Sequence, residues 1–119
     1  MKQNIPPMTD EMVELVARRF RLLGEPVRLR ILQVLEAGEL SVNALTDALQ
    51  GNQPNISRHL AALFDGGLLH RRREGNLIYY SIADPMVFKL CELVCRRTRE
   101  QMQLQLSALG VVAGRAHKE

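Results

Sequence analysis

Two helical apolar stripes joined by a polar turn, followed directly by two β-rich runs around a Gly-Asn pair, predict a mainly α chain with one small β-hairpin, in the order α-α-α-α-β-β-α. The helical pair lies in SVNALTDALQGNQPNISRHLAALFDG, residues 41 to 66. Val42, Leu45 and Leu49 fall at i, i+3 and i+7, and Ile56, Leu60, Leu63 and Phe64 at i, i+4, i+7 and i+8, so each segment has one apolar side that a neighbour must cover. Between them Gln50-Gly51-Asn52 lets the chain reverse. Asn52 can cap the second helix, and Pro54 falls in its first turn, where a missing N–H costs little. The pattern is a helix-turn-helix. The β-rich runs, 68 to 73 and 77 to 82, flank Glu74-Gly75-Asn76, whose Gly-Asn supplies the positive φ of a tight hairpin. A basic hairpin behind a helix-turn-helix reads as a wing, which makes the expected fold a winged helix-turn-helix.

The remaining elements follow in chain order. Residues 1 to 8 read as a loose N-terminal arm. Thr9 or Asp10 can cap a first helix, Glu11 and Glu14 suit its positive end, and Val13, Val16, Phe20 and Leu23 repeat at helical spacing until Gly24. Pro26 opens a second helix, with a stripe of Val27, Ile31, Leu32, Val34 and Leu35 and a stop at Gly38. Arg28 and Arg30 are expected on its solvated face, with a phosphate contact as the alternative. Asp84-Pro85 starts the last helix, a capping carboxylate followed by Pro at the first helical position. That helix, 84 to 109, carries Phe88, Cys91, Cys95, Met102, Leu106 and Leu109 near one face. So long an apolar surface exceeds what a small core needs, and a homodimer joined through the terminal helices would cover it. Residues 110 to 119, with His117, read as a frayed tail.

At 119 residues the chain suits one domain, 1 to 119. Hydrophobic residues make up 46%, but there are only 3 Phe, 2 Tyr and no Trp, so the core must be aliphatic. The first residues are polar and Pro-broken, unlike a secretory leader, and no apolar run approaches the roughly 18 residues of a membrane span. A cytoplasmic protein with no membrane partner is expected. Cys91 and Cys95 lie four apart in one predicted helix, a poor arrangement for a structural disulfide, and a reducing compartment keeps both as thiols. There is no acid/base pair, no nucleophile beside a base and no phosphate-cradling Gly loop. His59, His70 and His117 share no metal spacing. The chain is not expected to be an enzyme.

A net charge of +3 with a pI near 9.2 is only mildly basic, so the placement of the charges says more than their sum. Gln53, Asn55, Ser57, Arg58 and His59 crowd the N-terminal half of the second motif helix. All can hydrogen-bond and none is acidic. A helix entering the major groove of double-stranded DNA presents such residues to base edges; a solvated polar corner is the plainer alternative. Arg71-Arg72-Arg73 is the one uninterrupted triple of a single charge sign, and with Asn76 it suits contacts to the sugar-phosphate backbone. A merely solvated hairpin is the alternative there. His70 suits a strand surface, and Tyr79 and Tyr80 suit packing of the hairpin onto the domain. A protein-binding use of the same scaffold also stays open. A DNA shift with no sequence preference, indifferent to Arg58→Ala or His59→Ala, would favour it.

The runs LGEPVRLRILQVL (23 to 35), LSVNALTDAL (40 to 49), QPNISRHLAALFDGGLL (53 to 69) and REGNLIYYSI (73 to 82) resemble the ArsR/SmtB family of bacterial transcriptional repressors over nearly the whole chain. The resemblance implies a symmetric dimer on an inverted-repeat operator, released when an effector binds. Two recognition helices related by a two-fold would reach successive major grooves roughly 34 Å apart. The family's Cys-Val-Cys sensor in the first motif helix is replaced here by Ser41, Val42 and Asn43, and the final helix has no His for the family's zinc site there. Cys91 and Cys95 remain, at i and i+4 on one helix face. They could hold a thiophilic metal or metalloid such as As(III), or answer an oxidant or a sulfide-derived species, with Lys89, Arg96 and Arg97 favouring thiolates. Equally, they could be small buried hydrophobes in an effector-independent regulator.

Overall fold

A computed structural model describes residues 5 to 110, so the first four residues of the expected arm and the tail beyond 110, with His117, lie outside the described residues. The elements are α1 (Asp10–Leu23), α2 (Pro26–Leu35), β1 (Leu40–Ser41), α3 (Val42–Leu49), α4 (Gln53–Asp65), β2 (Leu69–Glu74), β3 (Leu77–Ile82) and α5 (Met86–Ala108). They fall into two compact units, Met1–Asp84 and Pro85–Glu119.

In the first unit each helix starts where a side chain can take up a free backbone N–H. Thr9 accepts from Met12 N, Glu25 from Arg28 N, Ser41 from Ala44 N and Asn52 from Asn55 N, each satisfying one of the donors that a helix N-terminus leaves unpaired. The chain reverses between α3 and α4 as the sequence indicates. Gln50, not Gly51, takes the left-handed conformation, at φ 52°. Gly51 serves a different purpose: a Cβ there would stand 3.2 Å from two carbons of Ile56, so glycine lets the turn lie against the start of α4.

The sheet has three strands in the order β1-β3-β2, all antiparallel. β1 was not anticipated from the sequence. Two residues are too few to show an alternation, and Leu40 and Ser41 are extended because Tyr80 and Tyr79 pair with them. In the hairpin Glu74 pairs with Leu77, which leaves Gly75 and Asn76 as a two-residue turn. Only Gly75 has a positive φ, 62°, the pattern of a turn with glycine at its first central position.

The core is aliphatic apart from Tyr80. Ile31, Leu32 and Leu35 of α2, Leu45 of α3, Ile56, Leu60 and Leu63 of α4, and Leu68 and Leu69 at the start of the wing are all buried. The α1 stripe departs from expectation. Leu23 is buried and Val16 half-buried, but Phe20 is 60% and Val13 44% exposed.

The second unit is α5, 23 residues or about 34 Å long at 1.5 Å per residue. It begins one residue later than expected, with Pro85 in the cap position and no side-chain cap bond from that residue. Pairs at i,i+4 (Glu92 and Arg96, 3.7 Å) and i,i+3 (Arg97 and Glu100, 3.0 Å) line its polar side. Leu93, Val94, Met102, Leu104, Leu106 and Leu109 are exposed, and Gly110 follows at φ 83°, which suits the residue just past a helix end. No described helix is long and apolar enough to cross a membrane.

Candidate nucleic-acid interface

The second motif helix, α4, shows a polar surface at its N-terminal half. Gln53 and Arg58 are exposed and Asn55 and Ser57 half-buried. Arg58 Nη2 donates to Asn55 Oδ1, a bond that does not use the asparagine NH₂ or the other guanidinium donors. Beside them, Ser41, Asn43, Gln53, Ser57 and Asn76 line a cleft between the motif and the tip of the wing. The sequence-predicted polar groups of the motif and the hairpin tip therefore meet along one side of the unit.

His59 does not stand with them. It is 8% exposed, and its Nδ1 accepts a hydrogen bond from Arg28 Nε at 3.1 Å. Two expectations are corrected together, since Arg28 is not on a solvated face either. Its Nη1 donates to the Leu22 carbonyl at 3.2 Å. Period explains both: His59 is three residues after Ile56 and four before Leu63, and Arg28 is four before Leu32 and seven before Leu35, so each belongs to the buried stripe of its helix. A stripe traced through apolar residues alone passes over them. Glu25 Oε1 stands 4.0 Å from His59 Nδ1. Burial raises the pKa of this carboxyl, but the Arg28 N–H, His59, the Val27 N–H and the Arg28 charge together hold it below the ordinary value.

The three wing arginines separate into different roles. Arg71 lies over the Phe64 ring of α4, 4.1 Å from its centroid. Arg72, on the opposite strand face, donates from Nε and Nη2 to the two carboxylate oxygens of Glu39 at 2.9 and 2.8 Å, reaches Glu74 at 2.9 Å, and lies 4.5 Å from the Tyr79 ring centroid. The Arg72 hydrogen bond, opposed by some burial and aided by its charge, holds the Glu39 carboxyl below its usual range; Glu39 and then Glu74 push the Arg72 pKa up. Arg73 is exposed at the tip side, with Asn76. Arg72, expected with Arg71 and Arg73 at the DNA backbone, is therefore also engaged within the protein. Tyr80 is buried, paired with Arg71, and Tyr79 lies under Arg72, so both tyrosines pack the hairpin.

On α5, Cys91 is half-buried and Cys95 exposed, both as free thiols. Burial, then the neighbouring Cys95, pushes the Cys91 thiol up. Of the expected thiolate-favouring cations Lys89, Arg96 and Arg97, Arg96 pairs with Glu92 and Arg97 with Glu100. Among the described residues no group of three or more His, Cys, Asp or Glu could hold a metal ion. Ser41, at one of the absent family cysteine positions, caps α3 instead.

A family of helix-turn-helix domains matches residues 23–72. The probable mercury resistance operon repressor of Streptomyces lividans is 39% identical over 77 residues, 65% of this chain and 62% of that protein. The arsenical resistance operon repressor of Escherichia coli is 45% identical over 65 residues, 54% of this chain and 56% of that protein. The chain thus spans less than two thirds of the length of these curated relatives. Among solved structures, the homodimeric winged helix-turn-helix DNA-binding domain Mb0332 of Mycobacterium bovis, a possible ArsR-family transcriptional regulator, superposes with a TM-score of 0.68 at 36% identity, covering 81% of this chain and 92% of that one.

Proposed function

Because the chain belongs to the ArsR/SmtB family of winged helix-turn-helix transcriptional regulators, we propose that it is a sequence-specific DNA-binding repressor, acting as a homodimer on an inverted-repeat operator. The observation that carries this reading is the exposed polar half of α4, where Gln53, Asn55, Ser57 and Arg58 sit beside Asn76 of the wing. Amide and guanidinium groups match the paired donors and acceptors of base edges in the major groove. Gln53, Asn55, Ser57 and Arg58 read bases and adjacent phosphates. Arg73 and Asn76 touch the backbone, and Arg71 does so from its seat over Phe64. The exposed apolar residues of α5 suit a second copy, and Mb0332 is a homodimer. Selection of bound duplexes from a random library tests this reading: an enriched inverted repeat supports it, and no enrichment refutes it.

The repressor is released, in our reading, by a thiophilic metal or metalloid such as As(III), or by an oxidant or sulfide-derived species, at Cys91 and Cys95. Their i,i+4 spacing puts both sulfurs on one helix face, soft ligands suit such agents, and the named relatives are mercury and arsenical repressors. One observation favours the alternative of an effector-independent regulator with packing cysteines: burial keeps the Cys91 thiol protonated and its neighbouring arginines are paired with carboxylates. Titrating As(III) or Hg(II) against the protein–DNA complex separates the two. Release that disappears in Cys91→Ser/Cys95→Ser supports sensing, and release unchanged by that substitution removes the pair.

A further inference from the structure

We infer that the hydrogen bond from Arg28 to His59 is the positioning contact that fixes how α4 presents Gln53, Asn55 and Arg58, an inference that rests on the repressor reading. The rest of the buried side of α4 is Ile56, Leu60 and Leu63, and aliphatic contacts resist rotation of a helix about its axis only weakly. A hydrogen bond is directional, so one placed in that stripe selects a single rotation. His59 lies one turn beyond Asn55 and directly after Arg58, so its anchoring sets the direction of both.

The geometry around Arg28 makes the contact rigid. One planar guanidinium spans two helices, with Nε on His59 Nδ1 and Nη1 on the carbonyl of Leu22 in the last turn of α1. The Arg28 backbone is itself held by the Glu25 carboxylate at 3.1 Å. The same turn of α1 also meets the far end of α4, where a Cβ on Gly66 would fall 2.2 Å from Leu22 Cδ2. α1 thus bears on α4 at its middle, through Arg28, and just past its C-terminal end, through Leu22. Arg28 cannot be replaced by Lys here, since an ammonium lacks the fork that reaches both acceptors.

His59→Leu keeps an apolar group of similar size and removes the acceptor, whereas His59→Asn retains an oxygen near the position of Nδ1. The two variants and Arg28→Lys are compared with wild-type protein by amide hydrogen exchange and by affinity for two duplexes, an inverted repeat selected by the wild type and a scrambled copy. Exchange in residues 55 to 59 should quicken about tenfold in His59→Leu and Arg28→Lys, for a hydrogen bond of ordinary net strength, and return close to wild type in His59→Asn. Affinity for the selected repeat should fall about tenfold while scrambled DNA is bound as before. Equal behaviour of Leu and Asn at position 59, or parallel losses on both duplexes, would overturn the positioning role. If the wild type itself prefers neither duplex, the repressor reading fails, and the exchange pattern alone decides the role of the contact.

Discussion

Arg72 meets both carboxylate oxygens of Glu39, through Nε at 2.9 Å and Nη2 at 2.8 Å, so the middle arginine of the wing closes a two-point pair with the residue leading into β1. An arginine held this way orients the hairpin and has few donors left for a phosphate. Arg73, one residue along, is exposed like Arg72 but joins no such two-point pair among the described residues.

The wing arginines should therefore be unequal in their salt dependence. Arg73→Gln should weaken binding to all duplexes alike and reduce the slope of log affinity against log salt by about 1. Arg72→Gln should lower affinity with much less change in slope, and Glu39→Gln should resemble it. Fluorescence anisotropy across a salt series measures both quantities. Equal slope changes for Arg72 and Arg73 would contradict the division.

The Glu39 pair also gives a pH dependence. The folded carboxyl titrates below its ordinary value of 4.5, held there first by the Arg72 hydrogen bond. A lowered folded pKa means that the contribution to stability is complete above the unfolded value and disappears as pH falls through the folded one. The wing should loosen below about pH 4.5 and stay unaffected between pH 6 and 8. Chemical shifts of residues 69 to 82 followed from pH 7 to 3 check this, with Glu39→Gln expected to abolish the transition.

Two substitutions probe the helix-turn-helix itself. Asn52→Ala removes the acceptor for Asn55 N at 2.8 Å and should cost about 1 kcal/mol. Leu60→Ala, at a fully buried position, should cost about 2–5 kcal/mol. Urea denaturation of each variant supplies the values, and a cap loss exceeding the core loss would be inconsistent with this packing.

Most of the architecture is legible in the sequence, because its signals are periodic and local. The caps at Thr9 and Asn52, the stop at Gly24 and the turn at Gly75-Asn76 are each decided within a few residues. What escaped depended on partners distant in the chain. Glu39 and Arg72 are 33 apart, Arg28 and His59 are 31 apart, and no spacing rule joins them. His59 misled for a further reason: its residue type suits a DNA-facing position, while its place in the helical period sends it inward. β1 exists only because β3 lies beside it, and the exposed Phe20 shows an apolar stripe left uncovered by its own unit.

Ligand binding at the cysteine pair should follow proton release. A thiol must lose its proton to bind a soft metal, and burial holds that proton on Cys91. Affinity for Hg(II), which displaces the thiol protons into solution, should therefore increase from pH 6 to pH 8, with protons released as metal binds. Calorimetry in buffers of different ionisation enthalpy counts them, and pH-independent binding that survives Cys91→Ser would assign the metal to other groups.

The most direct test of the central claim is equilibrium binding of the wild-type protein and of Arg58→Ala to the selected inverted repeat and to its scrambled copy at physiological salt. The predicted result is two protomers per duplex, a preference of about a thousandfold or more for the repeat, and a loss of about 1–3 kcal/mol in Arg58→Ala confined to one base position in each half-site. Equal affinity for the two duplexes, or binding indifferent to Arg58, would contradict it.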